Sequence, residues 1–136
     1  MKKVLLGLVL IATVALAKPY TKEDRISDMN EMAQAMNIIQ SGFFYNNYET
    51  VEAGVSKLSD AIMRVKPPLE EIEEQDAMNR YMNQKIQMSN KIVKKINQKS
   101  LTILQRFKAG DPTQAVQAYT KIMGQCMKCH KEMRHW

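Results

Sequence analysis

The chain has very few residues that interrupt a helix, and this scarcity constrains its fold more than any other feature. Beyond residue 17, glycine and proline together occupy only eight positions. These positions are Pro19, Gly42, Gly54, Pro67, Pro68, Gly110, Pro112 and Gly124. They divide the chain into four long segments, in which apolar residues recur at the steps of three and four that characterise a helix. Strand signals are few, so the sequence predicts an all-α protein.

The first two segments have clear boundaries. Thr21 begins the sequence Thr-Lys-Glu-Asp, which fits a capping box and predicts a helix over 21–45. The apolar stripe of this helix is predicted to be Ile26, Met29, Ala33, Met36 and Phe43. The Asn-Asn pair at 46–47 is expected to turn the chain, and a second helix is predicted over 50–65, before the two prolines. Its core-facing residues are predicted to be Val51, Val55, Leu58, Ile62 and Val65.

The third segment is unusually long. No breaker occurs over 69–109, where a continuous helix would measure about 60 Å and would exceed its neighbours. We expect the acidic stretch 70–74 to form either a connecting turn or an overhanging first portion. The bundle-facing residues are predicted to be Met78, Met82, Ser89, Val93, Ile96, Ile103 and Phe107.

The fourth segment follows a clear stop signal. Gly110 ends the third helix, and Asp111-Pro112 supplies a cap residue and then proline at the first helical position. The apolar stripe here is predicted to be Ala115, Ala118, Tyr119, Ile122, Cys126, Cys129 and Met133. Four amphipathic helices with short connections favour an antiparallel up-down-up-down four-helix bundle.

The fourth segment also contains the sequence Cys126-Met-Lys-Cys129-His130, which reads C-x-x-C-H and uses both cysteines of the chain. This pattern is the attachment signature of c-type haem. Two thiols three residues apart lie on one face of a helix, where both can form thioethers to the vinyl groups of one porphyrin. His130 comes next in the chain and points an imidazole nitrogen at the iron.

Two other readings of the cysteines are weaker. A thioredoxin-like redox pair lies where a strand meets a helix, and no strand-like alternation precedes Cys126. A structural zinc site needs four ligands, and only Cys126, Cys129, His130 and His135 are available. A single helix cannot wrap all four around one ion.

The N-terminal residues 1–17 have the organisation of a secretory signal peptide. Lys2 and Lys3 supply a positive start, an apolar run follows over 4–16, and Ala-Leu-Ala at 15–17 is a small-residue cleavage site. The run is too short to span a membrane comfortably, and no second one follows. We therefore expect a mature chain without a membrane span.

Cleavage of the signal peptide would leave residues 18–136, which are 119 of the 136 residues and enough for one domain with one core. Loss of the two N-terminal lysines lowers the net charge from +6 to +4. This excess is too small to indicate binding to nucleic acid or membranes, and most of it is expected to be ordinary solvated surface.

A signal peptide, four helices and a C-x-x-C-H motif in the last helix together resemble the class II cytochromes c, which include cytochrome c′ and the low-spin cytochromes c-556. The resemblance covers the mature chain, and its specific part is 126–134. It implies a bundle with one covalently bound haem c and a location in the periplasm, since bacteria attach haem outside the cytoplasmic membrane. Family members carry a basic residue four positions after the haem histidine, and Arg134 has that spacing. Arg134 would then lie beside the imidazole, and the alternative is a surface arginine near a frayed terminus.

The sixth position of the iron is the open question. In the predicted bundle, the end of the fourth helix lies beside the start of the first helix. Met29 is the best-placed ligand there, Met32 is the neighbouring option, and Met36 lies about two turns further along. By resemblance, c-556 members ligate iron through a methionine early in the first helix, whereas cytochrome c′ members place a non-ligating apolar residue there. Core-filling methionine is the alternative at each position. Further pocket walls are predicted at Met63, Met78 and Met82.

Two functions follow from these two coordination states. Ligation by Met29 predicts an electron carrier that meets transient redox protein partners and is not an enzyme. An empty sixth position predicts a protein of the cytochrome c′ kind that binds a diatomic gas, nitric oxide or carbon monoxide. A peroxidase-like enzyme lacks a distal acid–base set, for which Arg25 alone is insufficient.

Two further expectations concern Arg25 and the oligomeric state. Arg25 is expected either to pair with a haem propionate or to be a solvated residue at the start of the helix. Family members often form dimers through their first two helices, and a homodimer is accordingly a hypothesis for this chain that sedimentation can test.

Overall fold

The computed structural model describes residues 20–65 and 76–134, with side chains up to residue 132. Four helices make up this part of the chain: α1 (Lys22–Phe44), α2 (Tyr48–Val65), α3 (Ala77–Lys108) and α4 (Pro112–Arg134). The described residues contain no strand, so the all-α prediction is confirmed and the four helices fit a four-helix bundle. The predicted signal peptide and the acidic stretch 70–74 lie outside the described residues.

Local signals set the ends of α1 and the start of α2. The Thr21 hydroxyl accepts a hydrogen bond from the Asp24 backbone N–H at 3.2 Å, and the Asp24 carboxylate accepts one from the Thr21 N–H at 2.9 Å. The capping box is therefore confirmed. Asn46 adopts a positive φ of 49° in the turn. The Asn47 carboxamide oxygen accepts from the Thr50 N–H at 2.8 Å, so α2 begins earlier than the predicted residue 50.

Comparable caps bound α3 and α4. The Asp76 carboxylate accepts a hydrogen bond from the Asn79 N–H at 2.8 Å and begins α3. Gly110, with φ of 74°, ends that helix in the left-handed region that glycine favours. The Asp111 carboxylate then accepts from the Gln114 N–H at 3.0 Å, which confirms the predicted start of α4.

Close helix contact distinguishes the α1–α2 pair. A Cβ atom placed on Gly54 would lie 2.7 Å from the Ile39 side chain, and one placed on Gly42 would lie 2.6 Å from the Val51 side chain. Only glycine permits that approach. Further along the pair, the Arg64 guanidinium of α2 contacts Asp28 of α1 at 2.7 Å. The core also takes in α3 and α4, and its fully buried large residues include Ile39, Leu58, Ile96, Ile103 and Ile122.

The buried face of α1 differs from the predicted stripe. Its buried residues are Asp28, Met32, Ala35, Ile39 and Gly42. Ala33 is exposed and Ile26 is 47% exposed. Met29, Met36 and Phe43 of the predicted stripe are partly buried and pack against the core, so the prediction fails only for Ile26 and Ala33. Apolar residues lie on two faces of α1, and the fully buried face is the one that packs against α2. The other face lines a cavity.

The first turns of α3 also depart from the prediction. Met78 is 66% exposed and Met82 is 37% exposed, while Asn83 and Ile86 are buried. The later predicted residues, from Ser89 to Ile103, are buried as expected. α3 has 32 residues, whereas α2 has 18 and α4 has 23. The apolar periodicity of α3 therefore extends into its first turns, which the shorter neighbouring helices do not bury.

The helices pair closely as α1 with α2, α2 with α3, and α3 with α4. Within the described ranges, α1 and α4 do not form a closely packed pair. None of the described helices has both the length and the apolar character needed to cross a membrane.

Candidate functional site

A cavity of about 1060 Å³ lies between α1 and α4, and its floor is formed by residues of α2 and α3. Protein pockets for small molecules typically measure about 300–1,000 Å³, so this one could take a large ligand. The floor consists mainly of Ile62, Val65, Ile92, Val93 and Ile96. An apolar space of this size favours a bulky apolar occupant over water.

The α1 wall contains the stripe predicted from the sequence. Ile26, Met29, Ala33 and Met36 all line the cavity. Met32 lines it too, although its side chain is 7% exposed and belongs to the core packed against α2. The three methionines considered as iron ligands therefore share one cavity, and Met29 and Met36 are half-buried at its surface.

The α4 wall contains the C-x-x-C-H motif. Cys126, Cys129 and His130 are half-buried and line the cavity. Positions i, i+3 and i+4 fall on one side of a helix, so the helical backbone itself groups these three side chains. Burial raises the pKa of the Cys126 thiol, and the nearby Cys129 contributes in the same direction. No disulfide joins the two cysteines.

Tyr119 links α4 to α1 within the cavity wall. Its hydroxyl donates a hydrogen bond to the Met36 carbonyl oxygen at 3.3 Å. Its ring meets Phe43 edge-on with 5.8 Å between centroids, and Phe43 in turn lies 5.4 Å from Phe107. Burial raises the pKa of the Tyr119 phenol. The sequence placed Tyr119 on the apolar stripe but gave no sign of this cross-link.

Cationic and exposed apolar side chains also line the cavity. Lys22 and Arg25 are exposed and contribute two positive charges from the first turn of α1. Ile26, Met123 and Met127 are each about half exposed while lining the cavity. Apolar surface left open to solvent beside a cavity is typical of a ligand site. The cationic groups lie where acidic substituents of a ligand could pair with them.

A charged network beside the cavity was not found from the sequence. Asp28, which is 6% exposed, accepts a hydrogen bond from the Tyr20 hydroxyl at 2.8 Å and from Arg64 Nε at 2.7 Å. Arg64 also contacts the Glu31 carboxylate. Burial, followed by the hydrogen bond to Asp28, raises the pKa of Tyr20 to about 12. Asp28 directly precedes Met29 in α1, so the network fixes the backbone at the cavity wall. An acidic residue within the apolar rhythm of α1 was the only available signal.

The remaining predicted site residues fall elsewhere. The side chain of Arg134 and all of His135 lie outside the described part of the chain. Met63, Met78 and Met82 are exposed and do not line the cavity, so their assignment as pocket walls was wrong. The Met63 sulfur instead accepts a hydrogen bond from Asn97 at 3.6 Å. The end of α2 does line the cavity through Ile62 and Val65, but Met63 lies on another face of that helix. In α3 the cavity is lined by later turns, from Ser89 to Ile96.

The residues present fit a covalently attached tetrapyrrole. Two thiols and an imidazole share one wall, thioether sulfurs lie across from them, and cationic groups flank the space. Within the described residues, no group of three or more His, Cys, Asp or Glu side chains is arranged to hold a bare metal ion. Comparison with protein-family models, curated proteins and solved structures gave no match.

Proposed function

We propose that the protein is a periplasmic monohaem cytochrome of the class II kind that carries electrons, with its haem in the cavity between α1 and α4. The supporting observation is that an apolar cavity of about 1060 Å³ directly adjoins the C-x-x-C-H motif. Apolar side chains that line this half-open cavity, such as Ile26, Met123 and Met127, are exposed to solvent, which favours an apolar occupant. The motif supplies the means of attaching a large apolar group there.

The residues of α4 bind and orient the cofactor. Cys126 and Cys129 would hold one haem through thioether bonds, and His130 would supply an imidazole ligand to the iron from the same helix face. When bound, the haem iron supplies a one-electron ferric–ferrous couple. Lys22 and Arg25 pair with the propionates from α1, and Arg134 moderates solvent access beside His130.

The order of contacts along the helices supports an antiparallel bundle. Gly42 of α1 lies against Val51 of α2, and Asp28 of α1 pairs with Arg64 of α2. Later residues of α2 therefore contact earlier residues of α1. Lys85 of α3 contacts Glu132 of α4 at 3.6 Å in the same sense. An up-down-up-down arrangement brings the end of α4 beside the start of α1, where Met29 lies.

Met29 is our choice for the sixth ligand. Met32 is buried and packed in the core, so ligation by its sulfur would require repacking. Met36 lies further along α1, beside Tyr119, and the Tyr119 hydroxyl donates a hydrogen bond to the Met36 carbonyl oxygen. Met29 is half-buried on the cavity face and three residues from Ile26. A thioether ligand from Met29 would raise the reduction potential of the haem iron, which suits an electron carrier without enzymatic chemistry.

A diatomic gas binder of the cytochrome c′ kind is the second candidate. The observation in its favour is the apolar α1 wall, where Ile26 and Ala33 stand beside Met29 and supply no ligand atom. If Met29 only covers the distal side, that wall leaves the sixth position open to nitric oxide or carbon monoxide.

Mass and absorption measurements on protein exported to the periplasm test both candidates. We expect the mass of one added haem and the weak far-red charge-transfer band of ferric haem ligated by methionine. Met29→Ala should abolish that band, while the control Met63→Ala, at an exposed methionine outside the cavity, should leave it unchanged. An unmodified chain would contradict haem attachment. A high-spin native spectrum would reject ligation by Met29 and favour the gas binder.

A further inference from the structure

The net charge of the protein conceals a strong division between its helix pairs. α3 carries eight Lys and Arg residues and no acidic residue, and α4 carries four basic residues and one acidic residue. α1 and α2 together carry four basic and seven acidic residues. Positive charge is therefore concentrated on the α3–α4 side, while the α1–α2 side is mildly negative. Such a distribution creates a directed surface potential that the small total does not reveal.

A groove of about 330 Å³ lies between α3 and α4 within this basic side. Three exposed lysines line it: Lys91 and Lys95 one turn apart on α3, and Lys128 on α4. Gln84, Gln87 and Gln125 contribute amide groups. The side-chain oxygen of Gln125 is buried and has no hydrogen-bond partner among the described residues.

The groove adjoins the proposed haem cavity. Ile92 lines both spaces, so they adjoin at that residue. Lys128 lies between the two cysteines of the C-x-x-C-H motif. A molecule seated in the groove would therefore contact the same helical turn that holds the cofactor.

We propose that the groove and its lysines form the docking surface for an acidic redox protein. Carboxylates projecting from the partner pair with the lysines. The redox role of this partner rests on the proposed function, in which one electron passes between the proteins and no bond is made or broken. The docking itself depends only on the charges and shape of α3 and α4.

The shape of the site favours a protein over an anionic membrane. A concave groove with three amide side chains suits single projecting side chains, whereas a flat lipid surface would meet the outermost lysines without entering it. The apolar residues of the groove are Met88, which is half-buried, and Ile92, which is buried. The groove therefore offers no exposed apolar side chain for insertion into lipid.

Binding of a fluorescent glutamate-rich peptide to the full exported protein tests the surface. Anisotropy at low ionic strength would give the affinity. The variant Lys91→Gln, Lys95→Gln, Lys128→Gln should bind about tenfold more weakly, since each exposed pair contributes a modest amount. The matched control Lys94→Gln, Lys99→Gln, Lys121→Gln removes equal charge from the same two helices outside the groove. It should lose about twofold or less.

Two outcomes would overturn the proposal. Equal losses in both variants would mean that diffuse charge attracts the peptide, without a defined site. Stronger binding to vesicles of anionic phospholipid than to the peptide would identify a membrane as the ligand. Both measurements are independent of the absorption spectrum and the haem mass, so failure of the docking surface is distinguishable from failure of the proposed function.

Discussion

Gly54 lies where α1 and α2 approach most closely, and its substitution gives a sharp test of that contact. A Cβ atom there would meet the Ile39 backbone nitrogen at 2.8 Å as well as the Ile39 side chain. The Ile39 backbone is part of α1 and cannot move aside as the end of a flexible side chain could. We expect Gly54→Ala to lower the free energy of unfolding by about 1–3 kcal/mol, measured by urea denaturation.

Gly124 supplies the control in a helix that is open at that point. A Cβ atom on Gly124 would meet nothing within 4 Å. Gly124→Ala should therefore raise the free energy of unfolding by about 0.5–1 kcal/mol, because alanine has the higher helix propensity. A stabilising Gly54→Ala would disprove the close approach of α1 and α2.

Tyr20 makes a pH-dependent contribution through its hydrogen bond to Asp28. Because folding raises the pKa of Tyr20 from 10.0 to about 12, the folded state holds the phenolic proton more tightly than the unfolded state does. The contribution is fully present below pH 10 and is lost as the pH rises through about 12. In urea unfolding, the wild type should lose more stability across that window than Tyr20→Phe does. Tyr45→Phe, at a tyrosine that is 81% exposed, should behave as the wild type.

Individual site residues differed in how far the sequence could predict them. Cys126, Cys129 and His130 were recognisable because their spacing alone brings them to one face of a helix. Asp28 was not, because its burial depends on Arg64, which is 36 residues away in sequence. Tyr119 was placed on the correct face, but its hydrogen bond to Met36 joins positions 83 residues apart.

At the scale of helices, α1 illustrates the limit of periodicity. Its pattern marks a face as apolar without saying what covers that face. The stripe around Met29 and Met36 lines the cavity, while Ala35 and Ile39 contact α2. Start and end signals were more reliable, because a cap such as Thr21 or Gly110 acts on its own helix and needs no partner.

The cavity predicts how the helices depend on the cofactor. If haem occupies the cavity as proposed, the variant Cys126→Ala, Cys129→Ala, which cannot attach haem, would lack the group that fills the space between α1 and α4. Hydrogen–deuterium exchange should become faster over the second half of α4 and the cavity face of α1. Exchange should change little in α2 around Leu58, which is fully buried in the core.

The same exchange experiment has a clear contrary result. Unchanged protection in α4 would mean that its packing against α3 suffices and that the cavity needs no occupant. Lys85 is relevant here, because its ammonium group donates to the Glu132 carbonyl oxygen at 2.8 Å and ties the end of α4 to α3.

For the whole molecule, the sequence predicted the class of fold but concealed its charge distribution. Helix periodicity is a property of each segment and chain length is a property of the whole chain. Both point directly to one four-helix domain. The division of charge between α1–α2 and α3–α4 appears only when the segments are grouped by their packing. A net charge of +4 for residues 18–136 suggests an ordinary surface, whereas α3 alone carries eight positive side chains.

The charge division also bears on self-association. A homodimer through α1 and α2 is the hypothesis that the resemblance gives, and the α3–α4 side would repel a second copy of itself. We expect sedimentation velocity to give a dimer that persists in the variant Lys91→Gln, Lys95→Gln, Lys128→Gln. A monomer at all concentrations would refute the homodimer, and a dimer lost only in that variant would move its interface to α3–α4.

Among the described helices, separation of charge between α1–α2 and α3–α4 contributes an electric dipole moment directed across the bundle. In the field of an acidic neighbour such a dipole experiences a torque, so the protein rotates before it collides. Salt limits this effect to a range of about 8 Å at physiological ionic strength. Dilution of the surrounding salt would extend that range, and would favour oriented encounters without altering a single contact inside the fold.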